Sequence, residues 1–312
     1  MMAGRPTLLL VIGPTGAGKT DLAHAVARER EGEIVSADAF AVYRGLDVGT
    51  AKPSRERRAE VPYHLLDVAN PEEPFSAGRF AREARPVVDD IAARGRLPIV
   101  CGGSGFYVAA LLGGLPPGEA RDPALRERLR QWGERRGAVA AHQFLERNDP
   151  LAASRIPAAN LRYTLRALEI LLATGSPASA RRPEGDAWPE RFRIVKVGVR
   201  PGRAQLHARI EDRVRRMLDA GWGEEVRRLL ERGLTGDSNS FQAIGYREVG
   251  EWVLGRISRE EAQERIVIAT RGLARRQETW FARERDAVWL APGEALATTL
   301  ALLDGEGDRE TR

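Results

Sequence analysis

Read as a pattern of apolar and polar positions, the chain alternates short continuous apolar runs with stretches of helical periodicity. Thr7 to Ile12 (TLLLVI) is such a run, the mark of a strand buried on both faces, and Leu22, Ala23, Val26 and Ala27 recur behind it at helical spacing. Glu33 to Ser36, Leu97 to Cys101, Arg193 to Val199 and Ala287 to Leu290 predict further strands, and His64 to Val68 another strand end. Ser76 is placed to cap a helix reaching about Arg94, with Pro86 expected to kink it. The spacing of Leu206, Ile210, Val214 and Met217 predicts a helix over 204–220, and Ser258 starts a long one reaching about Arg285.

The strand and helix alternation stops near residue 118 and resumes after 187. Gly113-Gly114-Leu115-Pro116-Pro117-Gly118 reads as a boundary. The segment beyond it is helical: Leu125, Leu129 and Trp132 share one face, and Leu161, Leu165, Leu168 and Leu172 another, stopped by Gly175 and Pro177. The predicted fold class is therefore α/β, a P-loop NTPase-like parallel sheet core in two parts, residues 1–117 and 188–312, carrying an all-helical insertion over 118–187. From Asp304 onward the tail is polar and expected to fray.

Composition narrows the setting. At 312 residues and 43% hydrophobic the chain can bury a sizeable core. No apolar run approaches the ~18 residues of a membrane span and no signal pattern opens the chain, so a cytoplasmic protein with no membrane partner is expected. The single Cys101 excludes an intramolecular disulfide and a cysteine-cluster zinc site. A formal charge of +5 permits nucleic-acid binding without requiring it. Lys19, Lys52 and Lys196 are the only lysines, so basic surface means arginine. Arg162 and Arg166 lie off the leucine face of their helix, and Arg271, Arg275, Arg276, Arg283 and Arg285 crowd the end of the long one. Such stripes read equally as solvated helix faces or as phosphate-tracking surfaces.

The sharpest chemical signal is Gly13-Pro14-Thr15-Gly16-Ala17-Gly18-Lys19-Thr20, a complete G-x-x-x-x-G-K-[ST] loop set between a strand and a helix. Glycines let successive backbone N–H groups turn inward, the helix N-terminus adds positive potential, Lys19 supplies a point charge and the Thr20 hydroxyl can reach a Mg2+. The loop calls for a di- or triphosphate without saying whose. Asp38, two residues beyond the second strand, falls at the carboxyl edge of the sheet, as a base, a metal ligand or a turn acid. The third strand runs into Gly102-Gly103-Ser104-Gly105, offering a hydroxyl where an ATPase of this class would usually carry an acid.

GPTGAGKT, SADAFAVYRGLDVGTAKP, CGGSGFY, RYTLRALEI, RIEDRVRRML, FQAIGYRE and RRQETWF, in that order from about residue 7 to 290, resemble the bacterial tRNA dimethylallyltransferases. The resemblance implies a P-loop-kinase-like core with a helical insertion that grips the anticodon stem-loop. It also implies transfer of a dimethylallyl group from dimethylallyl diphosphate to N6 of the adenosine 3′ of the anticodon, with Mg2+, by a monomer. By resemblance Gly13 to Thr20 and Arg213 hold the diphosphate, Asp38 is the base and Ser104 the hydroxyl at the reacting site. Ala39, Phe40, Ala41, Arg126, Arg162, Tyr163, Arg166, Gln242, Gly245, Tyr246 and Arg247 are the matching tRNA contacts. Serine stands at 104 where the family usually has threonine, and Ala39 and Ala41 replace the serine and glutamine of the family's Asp-Ser-x-Gln. A small-molecule kinase and a nucleic-acid-binding nucleotide switch remain as alternatives; the first would turn over ATP, and the second would need neither Asp38 nor Ser104.

Overall fold

The structure, a computed structural model, describes residues 5–113, 122–180, 187–236 and 238–305. In chain order its first part holds β1 (Thr7–Ile12), α1 (Lys19–Glu29), β2 (Glu33–Ser36), α2 (Arg55–Glu60), β3 (Tyr63–His64), α3 (Ala77–Ala93), β4 (Pro98–Cys101) and α4 (Gly105–Leu111). Four helices follow: α5 (Pro123–Arg136), α6 (Ala138–Asn148), α7 (Pro150–Ala153) and α8 (Leu161–Thr174). Then come β5 (Arg193–Val199), α9 (Arg203–Asp219), α10 (Trp222–Glu231), α11 (Tyr246–Val253), α12 (Arg259–Phe281), β6 (Val288–Leu290) and α13 (Ala295–Leu303). Contacts divide the chain into one unit of residues 1–112 with 187–312 and a second of 113–186.

The first unit is built on a six-stranded sheet in the order β3-β2-β4-β1-β5-β6, every pair parallel. The apolar run of β1 is explained by its central place, since Leu8, Leu9, Leu10 and Val11 are all 0% exposed. Leu9 and Val11 point into one layer with Leu22, Ala23 and Val26 of α1 and Ala295 of α13. Leu8, Leu10 and Ile12 point into the other, with Phe80 and Val88 of α3, Tyr107 of α4 and Phe281 of α12. The connections leaving β1 and β4 run in opposite directions across the sheet, the place where open α/β sheets hold ligands at their carboxyl ends.

The second unit closes a small core of its own from Leu129 of α5, Leu145 of α6, and Ala167 and Leu168 of α8, with Leu125 and Trp132 against it. Leu172, expected on the buried face, is 53% exposed, whereas its neighbour Leu171 packs against the core of this unit. The boundary segment expected at Gly113 to Gly118 lies outside the described residues except for Gly113, as does the tail beyond Gly305.

Local departures from the sequence pattern have physical reasons. The strand expected over 64–68 stops at His64 because Leu65 and Asp67 both take φ 58°, a left-handed conformation no strand tolerates. Helix α3 runs unbroken through Pro86, capped by Ser76 accepting from the Arg79 amide.

Candidate phosphate-binding site

The loop after β1 is shaped by three glycines at positive φ, Gly13 at 136°, Gly16 at 79° and Gly18 at 100°. Gly13 also has no room for a side chain, since a Cβ would stand 2.6 Å from the Val199 carbonyl oxygen. Several of the loop's polar groups are already engaged. Ala17 N–H donates to the Pro14 carbonyl at 3.3 Å, the Ala17 carbonyl accepts from Arg209 at 3.1 Å, and Thr15 N–H donates to Gln277 Oε1 at 2.8 Å. Pro14 has no N–H to give. Among the described residues the amides of Gly16, Gly18, Lys19 and Thr20 make no hydrogen bond within the protein, which leaves a concave set of donors at the N-terminus of α1.

Lys19 is 9% exposed, and among the described residues its ammonium has a single acceptor, the Pro14 carbonyl at 2.6 Å. Burial pulls it down from 10.5 to about 8, Arg213 adds to that, and Cys101 and Asp38 oppose it. Arg213, on α9, has its own pKa lowered by burial and makes no hydrogen bond or ion pair among the described residues, though Asp38 acts on it electrostatically. These two cations face a cavity of about 1040 Å³ lined also by Gly16, Gly18, Thr20, Arg44, Lys52, Arg57, Arg58 and Met217. Most other cations there are neutralised: Lys52 by Asp47 and Asp67, Arg58 by Asp67, and Arg57 by Asp21. Arg44, Arg55 and Arg209 also line the cavity and have no ion pair among the described residues, so Lys19 and Arg213 are the members of its unpaired positive charge that burial perturbs, beside the bare amides.

Asp38 and Ser104 do not line that cavity; they sit next to it, at the carboxyl ends of β2 and β4. Ser36 of β2 pairs with Cys101 of β4, so the two loops leave the sheet side by side. The Ala37 amide donates to the Cys101 carbonyl at 2.8 Å and the Ser104 amide to the Ala37 carbonyl at 3.3 Å. A Cβ on Gly102 would stand 2.1 Å from the Ala37 carbonyl oxygen, so only glycine lets them meet this closely. Asp38 Oδ1 accepts from the amides of Phe40 at 2.9 Å and Ala41 at 3.1 Å, the turn role, while Oδ2 makes no hydrogen bond among the described residues. Ser104 precedes α4, and its hydroxyl caps no amide of that helix.

The remaining sequence-selected residues fall into two groups. Arg126, Arg162, Tyr163 and Arg166 all belong to the helical unit, where Glu169, 2% exposed, binds Arg126 at 3.0 Å and Arg166 at 2.8 Å. Tyr163 is 49% exposed. In the first unit Gln242 and Arg247 are exposed, whereas Gly245 and Tyr246 are buried. Tyr246 is 0% exposed with its hydroxyl donating to Glu225 at 2.7 Å, and a Cβ on Gly245 would strike the Trp222 ring at 2.1 Å. Ala41 is likewise buried at 5% and offers the surface little.

Two side chains that organise the site went unassigned from sequence. Glu225, buried on α10, accepts from the amides of Asp47 and Val48 at 2.7 Å and of Gly49 at 3.1 Å, so it holds the cavity wall. Gln277 of α12 joins the Thr15 amide to the Gly103 carbonyl, accepting from the first and donating to the second at 2.9 Å. The segment RRQETWF drew attention to Gln277 as part of a resemblance; nothing local marks Glu225.

A parallel sheet with a glycine-lysine loop at the end of its central strand, bare amides at a helix N-terminus and unpaired cations that include Lys19 and Arg213 defines a P-loop-class phosphate-binding protein. The chain belongs to the IPP transferase family, whose pattern it matches over residues 41–284, and residues 6–66 also match the isopentenyl transferase family. It is 44% identical over 292 residues to a tRNA dimethylallyltransferase of Desulfosudis oleivorans, covering 94% of this chain and 93% of the relative. With a tRNA dimethylallyltransferase of Anaeromyxobacter dehalogenans it shares 47% identity, across 93% of this chain and 97% of that one. Among solved structures it resembles the full-length tRNA isopentenylpyrophosphate transferase of Bacillus halodurans, with TM-score 0.70, 35% identity and 96% of each chain covered.

Proposed function

We propose that this chain is a tRNA dimethylallyltransferase that moves a dimethylallyl group from dimethylallyl diphosphate to N6 of the adenosine 3′ of the anticodon, releasing diphosphate. The observation that carries the reading is the pairing of unpaired donors at Gly16, Gly18, Lys19, Thr20 and Arg213 with a free carboxylate oxygen on Asp38 and a free hydroxyl on Ser104 at the next strand ends. As the C1–O bond of the donor breaks, negative charge grows on the leaving diphosphate, where the amides, Lys19 and Arg213 stabilise it. The N6 lone pair forms the new bond to C1, and Asp38 takes the N6 proton. Ser104 is suited to hydrogen-bond the reacting base.

Thr20 lines the cavity at the helix N-terminus, and its hydroxyl with the diphosphate oxygens would hold a Mg2+ that neutralises the leaving group. No cluster of three His, Cys, Asp or Glu side chains suited to a metal occurs among the described residues, which accords with a cation held chiefly through substrate phosphates.

The helical unit supplies the tRNA surface in this reading, through Arg126, Arg162, Tyr163 and Arg166, with Gln242 and Arg247 of the first unit. Glu169 fixes two of those guanidiniums, so less entropy is lost when they meet phosphates. The target adenosine leaves its stack at a cost of a few kcal/mol, offset by these contacts. The protein works as a cytoplasmic monomer.

Incubation with dimethylallyl diphosphate, Mg2+ and unmodified tRNA is expected to add C5H8 to one adenosine, read by mass spectrometry. Phosphorylation of a small molecule from ATP, with no prenylated RNA, would overturn the reading. Asp38→Asn keeps the turn but removes the base, so kcat is expected to fall roughly 10²–10⁴-fold with tRNA affinity nearly unchanged. Replacing Arg162 and Arg166 by alanine is expected to weaken tRNA binding and lower its log–log salt slope by about 1 per lost phosphate contact, leaving diphosphate binding intact.

A further inference from the structure

The side-chain amide of Gln277 lies between two peptide groups, one leading to the turn that carries Ser104 and the other bonded to the Lys19 ammonium. On one side is the Gly103–Ser104 peptide: its carbonyl accepts from Gln277 Nε2 at 2.9 Å, while its N–H reaches the carbonyl of Ala37, the residue before Asp38. On the other is the Pro14–Thr15 peptide: its N–H donates to Gln277 Oε1 at 2.8 Å, while its carbonyl accepts from the Lys19 ammonium at 2.6 Å. One amide therefore ties the plane that presents Ser104 to the plane that anchors Lys19. It uses both its donor and its acceptor, a pattern neither a carboxylate nor a thioether can reproduce.

The surroundings of Gln277 are arranged to keep it there. Trp280, one turn on, covers Gly105 so closely that a Cβ would stand 2.0 Å from the indole nitrogen, and its ring packs on Phe106 with centroids 4.5 Å apart. Phe281 beyond it is fully buried. Gly103 has no positive φ, and the obstacles to a Cβ on it are Gln277 Nε2 at 2.3 Å and Cδ at 3.3 Å; the next atom, the Gly13 carbonyl oxygen, is at an ordinary 3.6 Å. Glycine at 103 is thus required by the glutamine, not by its backbone.

We propose that Gln277 is a positioning residue: it sets the separation between the phosphate loop, where the leaving group is held, and the Ser104 turn, where the acceptor base is met. The proposal rests on the prenyl-transfer reading for its kinetic consequence but not for its structural one. Misplacing reacting groups by about 1 Å costs on the order of 10²-fold. Gln277→Met, similar in size but without either hydrogen bond, is therefore expected to slow single-turnover prenylation roughly 10- to 100-fold at saturating substrates, with the KM for dimethylallyl diphosphate within about threefold of wild type.

The double-mutant cycle with Gly103 separates this from a loss of folding. Gly103→Ala alone displaces the glutamine and is expected to slow the reaction about as much as Gln277→Ala does; adding Gly103→Ala to Gln277→Ala is expected to slow it little further and to cost little further in Tm. Additive losses in rate and Tm would overturn the proposal, because Gly103 and Gln277 would then act independently. A lowered Tm with an unchanged single-turnover rate would reduce Gln277 to a structural brace, and a change confined to KM would make it a phosphate contact. If the wild type itself transfers no prenyl group, the reading of the reaction fails, while the Tm arm of the cycle still tests the link between the two loops.

Discussion

Two lysine-bearing loops face the same cavity, and they differ in what their polar groups have left to do. Among the described residues the loop over 13–20 leaves four amides without partners and gives the Lys19 ammonium one carbonyl. The loop over 43–52 leaves almost nothing. Lys52, with its side chain 1% exposed, donates to the Tyr43 carbonyl at 2.6 Å, to Asp47 at 2.8 Å and to Asp67 at 2.6 Å. Its amides at Asp47, Val48 and Gly49 close on the Glu225 carboxylate, an anion supplied by the protein itself. One loop is a site waiting for a ligand's charge; the other has the same ingredients, lysine, glycine and exposed N–H groups, already filled from within, and serves as wall. Drawing the Lys19 ammonium down from 10.5 to about 8 corresponds to roughly 3 kcal/mol of unfavourable solvation, which a bound diphosphate would relieve.

The comparison breaks if the two lysines respond alike to removal. Lys19→Met is expected to lower kcat/KM for dimethylallyl diphosphate by roughly 10²–10³-fold, the effect of deleting one preorganised donor from a developing anion, while Tm holds or rises. Lys52→Met is expected to do the reverse, costing about 2–3 kcal/mol in denaturant unfolding by removing the donor to the Tyr43 carbonyl and to Asp47, while Asp67 keeps Arg58. The half-exposed Asp47 and Asp67 keep that figure below the cost of a fully buried pair. A Lys19→Met protein that is destabilised yet active would put both loops in one class.

The same contrast explains what could be read from the chain. The phosphate loop was legible because its function is local: eight consecutive residues carry the glycines, the lysine and the hydroxyl, and the flanking strand and helix follow from periodicity alone. Asp38 and Ser104 were legible as residues just past apolar runs, since parallel strands bring such positions to one edge. Glu225 and Gln277 were not, because each acts on amides more than 170 positions away and nothing near either foretells the partner. Helix α10, which carries Glu225, went unpredicted; its first turn packs Trp222 and Gly223 under Gly245, Gly49 and Trp252, contacts set by tertiary structure. The burial of Gly245 and Tyr246 was not legible for the same reason: nothing near an aromatic beside a glycine foretells the buried carboxylate that takes its hydroxyl.

The smallest effect sharpens the comparison most, because it reads the Lys19 charge without altering the protein. In the free protein the ammonium is charged below about pH 8 and neutral above it. A diphosphate beside it favours the charged form, so the pKa in the complex is higher than in the free protein. Below pH 8 both states hold the proton and affinity does not depend on this group. Above it, binding must take up a proton that the free protein has lost, so affinity falls as pH rises, approaching a factor of ten per pH unit until the pKa of the complex is reached. The dissociation constant for diphosphate, measured by calorimetry from pH 7 to 10, is expected to bend upward near pH 8 with proton uptake on the alkaline side. Lys19→Arg, which stays charged throughout, is expected to lose the bend even if it binds less tightly, while Lys52→Met is expected to retain it. A flat profile in the wild type would mean that the Lys19 ammonium is solvated much as an ordinary lysine, and the distinction between a loop that waits for charge and a loop that has it would rest on the bare amides alone.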